Sequence, residues 1–259
     1  MKAVASRSAL VPRLRAVEAV VCDTDGVITD SARVHAAAWK TAFDGFLTEH
    51  PPDDPAQRRP FDIADDYLRY VDGRSRRDGA AAFLAARGVE PTAATVEAVA
   101  ADKESLFVER IRRQSVDAYP GTVRLVRALR AAGVPVAAAS ASRHARELLV
   151  GAGVFGLFDV LVDGAEAARL GLAGKPRPDL FLEAVRRLGV PPTGAAVVED
   201  ALAGVAAGRL GGFGLVVGVD RALGPDTRDG LLRHGADIVV TDLAELLADA
   251  ATGTDGVRP

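Results

Sequence analysis

Val20-Val21-Cys22-Asp23-Thr24-Asp25-Gly26-Val27-Ile28-Thr29-Asp30 is the stretch on which the reading of this chain turns. An apolar run from Val17 to Cys22, interrupted by Glu18 alone, ends in two carboxylates separated by one residue, and Gly26 breaks the strand. Residues i and i+2 of an extended chain point to the same side. Asp23 and Asp25 are therefore expected to project together from a strand's carboxyl end, where open α/β sheets bind ligands. Like charges held so close need a cation, a shared proton, or both. Asp and Gly are also ordinary turn residues, so a plain acidic turn is the competing reading at this point.

The 259-residue chain is long enough for one large domain, or for a core domain with a smaller insertion. With 49% hydrophobic residues it can bury a sizeable core, and a net charge of −3 argues against a general polyanion partner. No apolar run approaches the roughly 20 residues needed to cross a bilayer. Residues 1–16 carry Lys2, Arg7, Arg13 and Arg15, but their apolar stretch is too short for a signal peptide, and they read as a frayed leader. Cys22 is the single cysteine, which excludes an internal disulfide and a cysteine-based zinc site. Its place inside the strand reads as a small buried hydrophobe. A reducing, cytoplasmic setting fits.

After Asp30 a helical run extends to about Phe46, with Val34, Ala38, Trp39 and Phe43 on one face. Glu49 to Pro60 holds Pro51, Pro52, Pro55 and Pro60, too many for a helix or a central strand, and marks a boundary. Segments Asp62–Val71, Arg77–Arg87 and Thr92–Gln114 then read as helices, so residues 48–115 are expected to form an all-helical insertion. Pro120 suits the first turn of the next helix, which runs to Ala132. Strands are expected at Val134–Ser140, Val160–Asp163, Ala195–Val198, Leu215–Val219 and Ile238–Val240. Helices are expected near Arg143–Gly151, Pro178–Leu188, Ala201–Leu210, Asp226–His234 and Leu243–Ala250, before a flexible tail over 251–259. The alternation predicts an α/β fold: a Rossmann-like three-layer core with a mostly parallel sheet, over 17–47 and 116–250, plus the inserted α-helical cap domain.

Several strand ends carry polar groups. The second predicted strand ends at Ser140-Ala141-Ser142, and the one at Ala196-Val197-Val198 ends in Glu199-Asp200. Gly174-Lys175-Pro176-Arg177-Pro178-Asp179 stands before a later helix. Each has a bland alternative as a helix cap or a solvated loop lysine. In a parallel sheet, however, these ends share one edge, and four separate segments would then bring Asp23, Asp25, Ser140, Lys175, Glu199 and Asp200 together.

With this ordered set the sequence resembles the haloacid dehalogenase superfamily of aspartate-nucleophile phosphotransferases, over about residues 17–247. The motifs stand as Asp23-Thr-Asp25-Gly-Val, Ser140, Lys175-Pro-Arg-Pro-Asp179 and Glu199-Asp200-Ala-Leu-Ala-Gly204. The helical insertion matches the subgroup with a helical cap. Gly26 to Ser31, His35, Trp39-Lys40 and Ser140-Ala141-Ser142 resemble the β-phosphoglucomutase family within it.

The resemblance implies Mg²⁺-dependent phosphoryl transfer on a sugar phosphate through an aspartyl-phosphate. A carboxylate approaching a phosphate dianion meets about 4 kcal/mol of repulsion per charge pair at an effective dielectric near 20. Mg²⁺ held by Asp23, Asp200, the Asp25 carbonyl and Glu199 would offset it, as would Lys175, with Ser140 and Ala141 holding phosphoryl oxygens. Asp23 would be the nucleophile and Asp25 the acid and base, with burial raising the Asp25 pKa. His35 would couple cap closure to Asp25.

Trp39, Gly73 and Arg76 would lie on the substrate side of the cap, Arg76 taking a distal phosphate. Two positions depart from that pattern: Asp72, where a lysine is expected, and Arg143-His144, in place of Lys-Asn. The expected activity is interconversion of β-glucose 1-phosphate and glucose 6-phosphate; a phosphatase of sugar phosphates or similar small metabolites is the other reading. The expected partner is a small-molecule sugar phosphate, with no nucleic acid and no membrane, and the chain is expected to be a monomer. A receiver-like binding module would not need an acid at Asp25, and no Gly-x-Gly-x-x-Gly follows the first strand to suggest a dinucleotide enzyme.

Overall fold

Six parallel strands form one sheet in the computed structural model of the protein, which describes residues 7–113, 115–221 and 225–248. In chain order, a short helix α1 (Pro12–Arg15) precedes β1 (Ala19–Asp23), and three longer helices follow: α2 (Ala32–Glu49), α3 (Arg76–Ala86) and α4 (Ala93–Arg113). Then come α5 (Pro120–Ala131), β2 (Val136–Ala139), α6 (Ala145–Gly151), β3 (Val160–Val162), α7 (Gly164–Leu170) and α8 (Asp179–Leu188). The chain continues through β4 (Ala195–Glu199), α9 (Leu202–Leu210), β5 (Leu215–Val219), α10 (Pro225–Arg233) and β6 (Ile238–Val240). The sheet order is β3-β2-β1-β4-β5-β6. The α/β expectation is met.

The strands are short runs of Ala and Val because both faces of the sheet are covered. Alternate residues of β1 supply two cores. Val20 and Cys22 pack with Leu125, Leu129 and Leu149, whereas Ala19 and Val21 pack with Phe181, Ala184 and Val205. β1 pairs with β2 on one side and β4 on the other, so the strand order reverses between β1 and β4. That reversal opens a crevice at their carboxyl ends.

The first three long helices form an aromatic core of their own. Phe43 sits at its centre, 4.8 Å from the Trp39 ring, 5.1 Å from Phe61 and 4.0 Å from Phe83. Arg87 is buried beside this cluster and bonds the equally buried Asp66 at 2.7 Å. α2 therefore packs with the helical unit, and the expected boundary after residue 47 cuts through it: Trp39, Phe43 and Leu47 face Phe61, Phe83 and Val99.

Other differences have local causes. Residues 7–16 are not frayed, because Leu10 and Leu14 are fully buried and Leu10 bridges to Leu247. α7 was not expected; Asp163 caps it by accepting from the Ala165 and Glu166 amides, and Gly171 ends it at φ +68°. Of the helix expected over Leu243–Ala250, the described part forms a 3₁₀ turn at Leu243–Leu246, since Leu247 turns extended to meet Leu10, and residues 249–250 lie outside the described residues. The segment expected as Asp62–Val71 forms a single π turn at Tyr67–Val71. The expected tail over 251–259 lies outside the described residues. Among the described residues no helix is long and apolar enough to cross a membrane.

Candidate active site

β1 ends at Asp23 and β4 ends at Glu199, on either side of the crevice, with Asp200 next in the chain. Carboxylate oxygens of Asp23, Glu199 and Asp200 lie within 4.8 Å of one another. Two glycines make this possible. A Cβ on Gly26, which sits at φ +84°, would fall 1.7 Å from Asp200 Oδ2, and one on Gly204 would fall 1.7 Å from Glu199 Oε1. Lys175 reaches in from the loop before α8, its ammonium 2.5 Å from Asp23 Oδ1 and also donating to Glu199. Burial works against the charge on Lys175, but the Asp23 and Glu199 carboxylates outweigh it and push its pKa up.

One lysine does not balance this much negative charge. Asp200 is pushed well above the carboxylate range by burial and then by Asp72, Glu199 and Asp23. A cluster of hard oxygen donors with surplus negative charge fits a divalent cation. Thus Asp23, Glu199 and Asp200 could hold such an ion. Cys22 directly behind Asp23 is no nucleophile, because burial and the Asp23 charge push its thiol up to about 12.

Asp25 stands apart from the lysine and has its own partners. Ser31 donates to its Oδ1 at 2.5 Å, and Ser140 donates to its Oδ2 at 3.2 Å. His35 Nε2 lies 3.3 Å from Oδ1. Burial pulls the Asp25 pKa up, yet His35, Ser31 and Lys103 together hold it well below the ordinary range. This reverses the expected raised value: the carboxyl is enclosed, but by donors that favour its charge.

The reason lies in the helical unit. Lys103 on α4 is buried, and its ammonium is 2.8 Å from His35 Nδ1. An ammonium can only donate, so Nδ1 accepts and the ring proton sits on Nε2, facing Asp25. Burial, then the Lys103 charge, lowers the His35 pKa. Lys103 lies over the rings of Phe107, at 4.6 Å, and Trp39, at 5.5 Å. Burial brings it down to about 8.

Over these groups lies a cavity of about 490 Å³, walled by the sheet edge below and the helical unit above. The turn before α3 forms part of its roof. Gly73 rests on the core so closely that a Cβ there would come within 2.8 Å of the Ala201 Cβ. Asp72, Arg74 and Arg76 face the cavity from the same turn. Burial, then Glu199, raises Asp72 to about 7.

Of the residues expected from sequence, Asp23, Asp25, His35, Trp39, Gly73, Arg76, Ala141, Lys175 and Asp200 line this cavity. Ser140 and Glu199 do not: each is fully buried, Ser140 behind Asp25 and Glu199 behind Lys175. The Ser140 hydroxyl also accepts from the Ser142 amide, so it shapes the loop and holds Asp25. The His144 ring bonds Glu104 of α4 and Glu147 of α6.

Lys103 and Glu104 were not found from sequence. A signal existed: Val96, Val99, Ala100, Lys103 and Phe107 form the buried stripe of α4, and a lysine on such a stripe demands a partner.

Comparison with known proteins agrees with this architecture. A family model described as haloacid dehalogenase-like hydrolase matches residues 17–212. A β-phosphoglucomutase of Mycobacterium bovis is 43% identical over 240 residues, covering 89% of this chain and 92% of that protein. One from Bacillus subtilis is 31% identical over 238 residues, with 89% and 92% covered. The crystal structure of a β-phosphoglucomutase from Clostridium difficile superposes with a TM-score of 0.69 at 24% identity, covering 91% of this chain and 95% of that one, a likeness of fold.

Proposed function

The chain belongs to the haloacid dehalogenase-like hydrolases, enzymes of phosphoryl transfer, and on that premise we propose that it is a Mg²⁺-dependent β-phosphoglucomutase. It would interconvert β-glucose 1-phosphate and glucose 6-phosphate through a bisphosphorylated sugar. The observation that carries the proposal is the pair of carboxylates at the end of β1 and just beyond it. Asp23 is paired with a cationic Lys175 beside an acidic cluster, whereas Asp25, two residues on, is held as a separate carboxylate by His35 and Ser31.

Asp23 attacks phosphorus with a carboxylate oxygen, the bond to the leaving sugar oxygen breaks, and an aspartyl-phosphate forms. Lys175 stays beside the reacting oxygens and offsets the charge brought in by phosphate. Asp25 starts ionised, so its first act is as a base. It takes the proton of the sugar hydroxyl that accepts the phosphoryl group from Asp23, and returns that proton to the sugar oxygen that leaves in the reverse half. The Ser31 and Ser140 hydroxyls fix the Asp25 carboxylate for that exchange, with the His35 ring beside it. Asp23, Asp200, Glu199 and the Asp25 carbonyl would hold Mg²⁺, which would supply positive charge to offset that of the transferring phosphoryl group. Arg76 in the roof suits the phosphate at the other end of the sugar.

A phosphatase of sugar phosphates is the second reading, favoured by Asp72, an acid in the roof where a lysine would otherwise meet an anionic sugar. The two part on what accepts the phosphoryl group. Isomerisation and phosphate release are measured together with β-glucose 1-phosphate, Mg²⁺ and a glucose 1,6-bisphosphate primer. Primer-dependent glucose 6-phosphate with little free phosphate supports the mutase; phosphate released as fast as product forms refutes it.

A further inference from the structure

Arg76, at the start of α3, lines the cavity wall with its Nη1 2.8 Å from Glu104 Oε2 of α4. The other Glu104 oxygen, Oε1, is 2.9 Å from His144 Nε2, across the cavity in the sheet-bearing core. Nδ1 of the same ring is 3.1 Å from Glu147 Oε2 of α6. All three side chains of the Arg76–Glu104–His144 chain are mostly shielded from solvent, the least covered being Glu104 at 27% exposure.

Neither the proposed acid–base pair nor the acidic cluster uses this chain of contacts. Both ring nitrogens of His144 face carboxylates, and only the imidazolium can donate to both. Besides Glu104 and Glu147, the Phe107 ring of α4 lies against it at 5.6 Å, and Arg76 stands behind Glu104. The Glu104 hydrogen bond, against a smaller effect of burial, raises the His144 pKa, while the His144 bond and Arg76 bring Glu104 down to about 2.

We propose that Glu104 is a positioning residue that aims Arg76 at the anionic end of the substrate, and that His144 makes this aim depend on the helical unit being closed on the core. The proposal rests on Arg76 meeting an anionic group, as in the function proposed above. With the unit closed, Glu104 is pinned by His144 and fixes one face of the guanidinium, leaving its other N–H groups to the ligand. With the unit lifted, Glu104 loses the imidazolium, and Arg76 then faces a carboxylate free to take it bidentately. A second phosphate is thus recognised only by the closed form, which couples its recognition to exclusion of water from Asp23.

The test is inhibition of p-nitrophenyl phosphate hydrolysis by glucose 1,6-bisphosphate and by inorganic phosphate, for the wild type, Glu104→Gln and His144→Asn. The expected result is a rise of about tenfold in the ratio of the two inhibition constants in both variants, the worth of one charge-assisted hydrogen bond. In the wild type this ratio should also rise as pH passes above the His144 pKa, followed from its ring proton resonances, and the His144→Asn variant should lose that dependence.

A ratio within about twofold of wild type in both variants, with unchanged melting temperatures, overturns the proposal. So does wild-type protein that binds the bisphosphate no better than phosphate. Because the readout is hydrolysis and its inhibition, absent isomerase activity would refute the mutase and still leave this ratio to be measured.

Discussion

Replacing Lys103 by Met separates what the buried lysine does for stability from what it does for chemistry. The ammonium is almost fully buried and its pKa falls from an ordinary 10.5 to about 8. That difference corresponds to about 3 kcal/mol of folding free energy forgone while the lysine is charged. A depressed lysine carries this cost in full below pH 8, and it vanishes as pH rises towards 10.5, where the unfolded chain also loses the proton.

Met fills nearly the same space against Trp39 and Phe107 without a charge. Losing the hydrogen bond to His35 returns about 1–2 kcal/mol of the gain. The variant should therefore melt about 3–6 °C higher at pH 7, and the advantage should fade between pH 8 and 10.5.

Activity should move the other way. Without Lys103, the donor to His35 Nδ1 is gone, and Asp25 loses one of the groups that hold its pKa down. Turnover of p-nitrophenyl phosphate should drop about 10- to 100-fold, matching the loss of one bond from a cationic donor. The acid limb of the rate profile should shift to higher pH. Thermal melts across pH, with steady-state rates on the same samples, check both halves. A variant that is less stable at pH 7 yet keeps turnover within about twofold would refute the reasoning.

Asp23→Asn should lower turnover by about 10³-fold or more and leave no acid-stable trace of phosphate on the protein after quenching; retained turnover would remove the nucleophile. Gly204→Ala places a methyl 1.7 Å from Glu199 Oε1, so the divalent ion concentration for half-maximal activity should rise about 10- to 100-fold, and an unchanged value would count against the acidic cluster as the metal site. Asp66→Asn leaves Arg87 buried without a counter-charge and should cost about 3 kcal/mol in urea unfolding at pH 7. Burial opposes the Asp66 charge, but Arg59, the Asp62 amide and Arg87 hold its pKa down. Its contribution is present above the ordinary carboxylate pKa and lost as pH falls through the lowered one, so the deficit of the variant should shrink in acid.

The fold and the lower half of the site were legible in the sequence because both depend on local pattern. Short Val and Ala runs alternating with amphipathic helices dictate a parallel sheet covered on both sides. In such a sheet every strand's carboxyl end falls on one edge. Asp23 and Glu199 close their strands and Asp25 and Asp200 follow, so their convergence follows from topology alone. Gly204 is legible for the same reason, since it clears space for Glu199 within its own motif, whereas the carboxylate that Gly26 makes room for, Asp200, comes from a distant segment.

What tertiary structure alone decided is the state of those groups. Asp25 and Lys103 are 78 residues apart, and nothing local in either segment says that one sets the charge of the other through His35. The sequence argued that burial would raise the Asp25 pKa; the structure surrounds the carboxyl with donors, and the sign reverses. Likewise His144, a mere departure from pattern in the sequence, joins the core to the helical unit through Glu104. A chain's pattern determines which residues reach a site, because strand ends and helix faces are periodic. Which of them are charged there depends on burial and on partners from distant segments, and both arise only on folding.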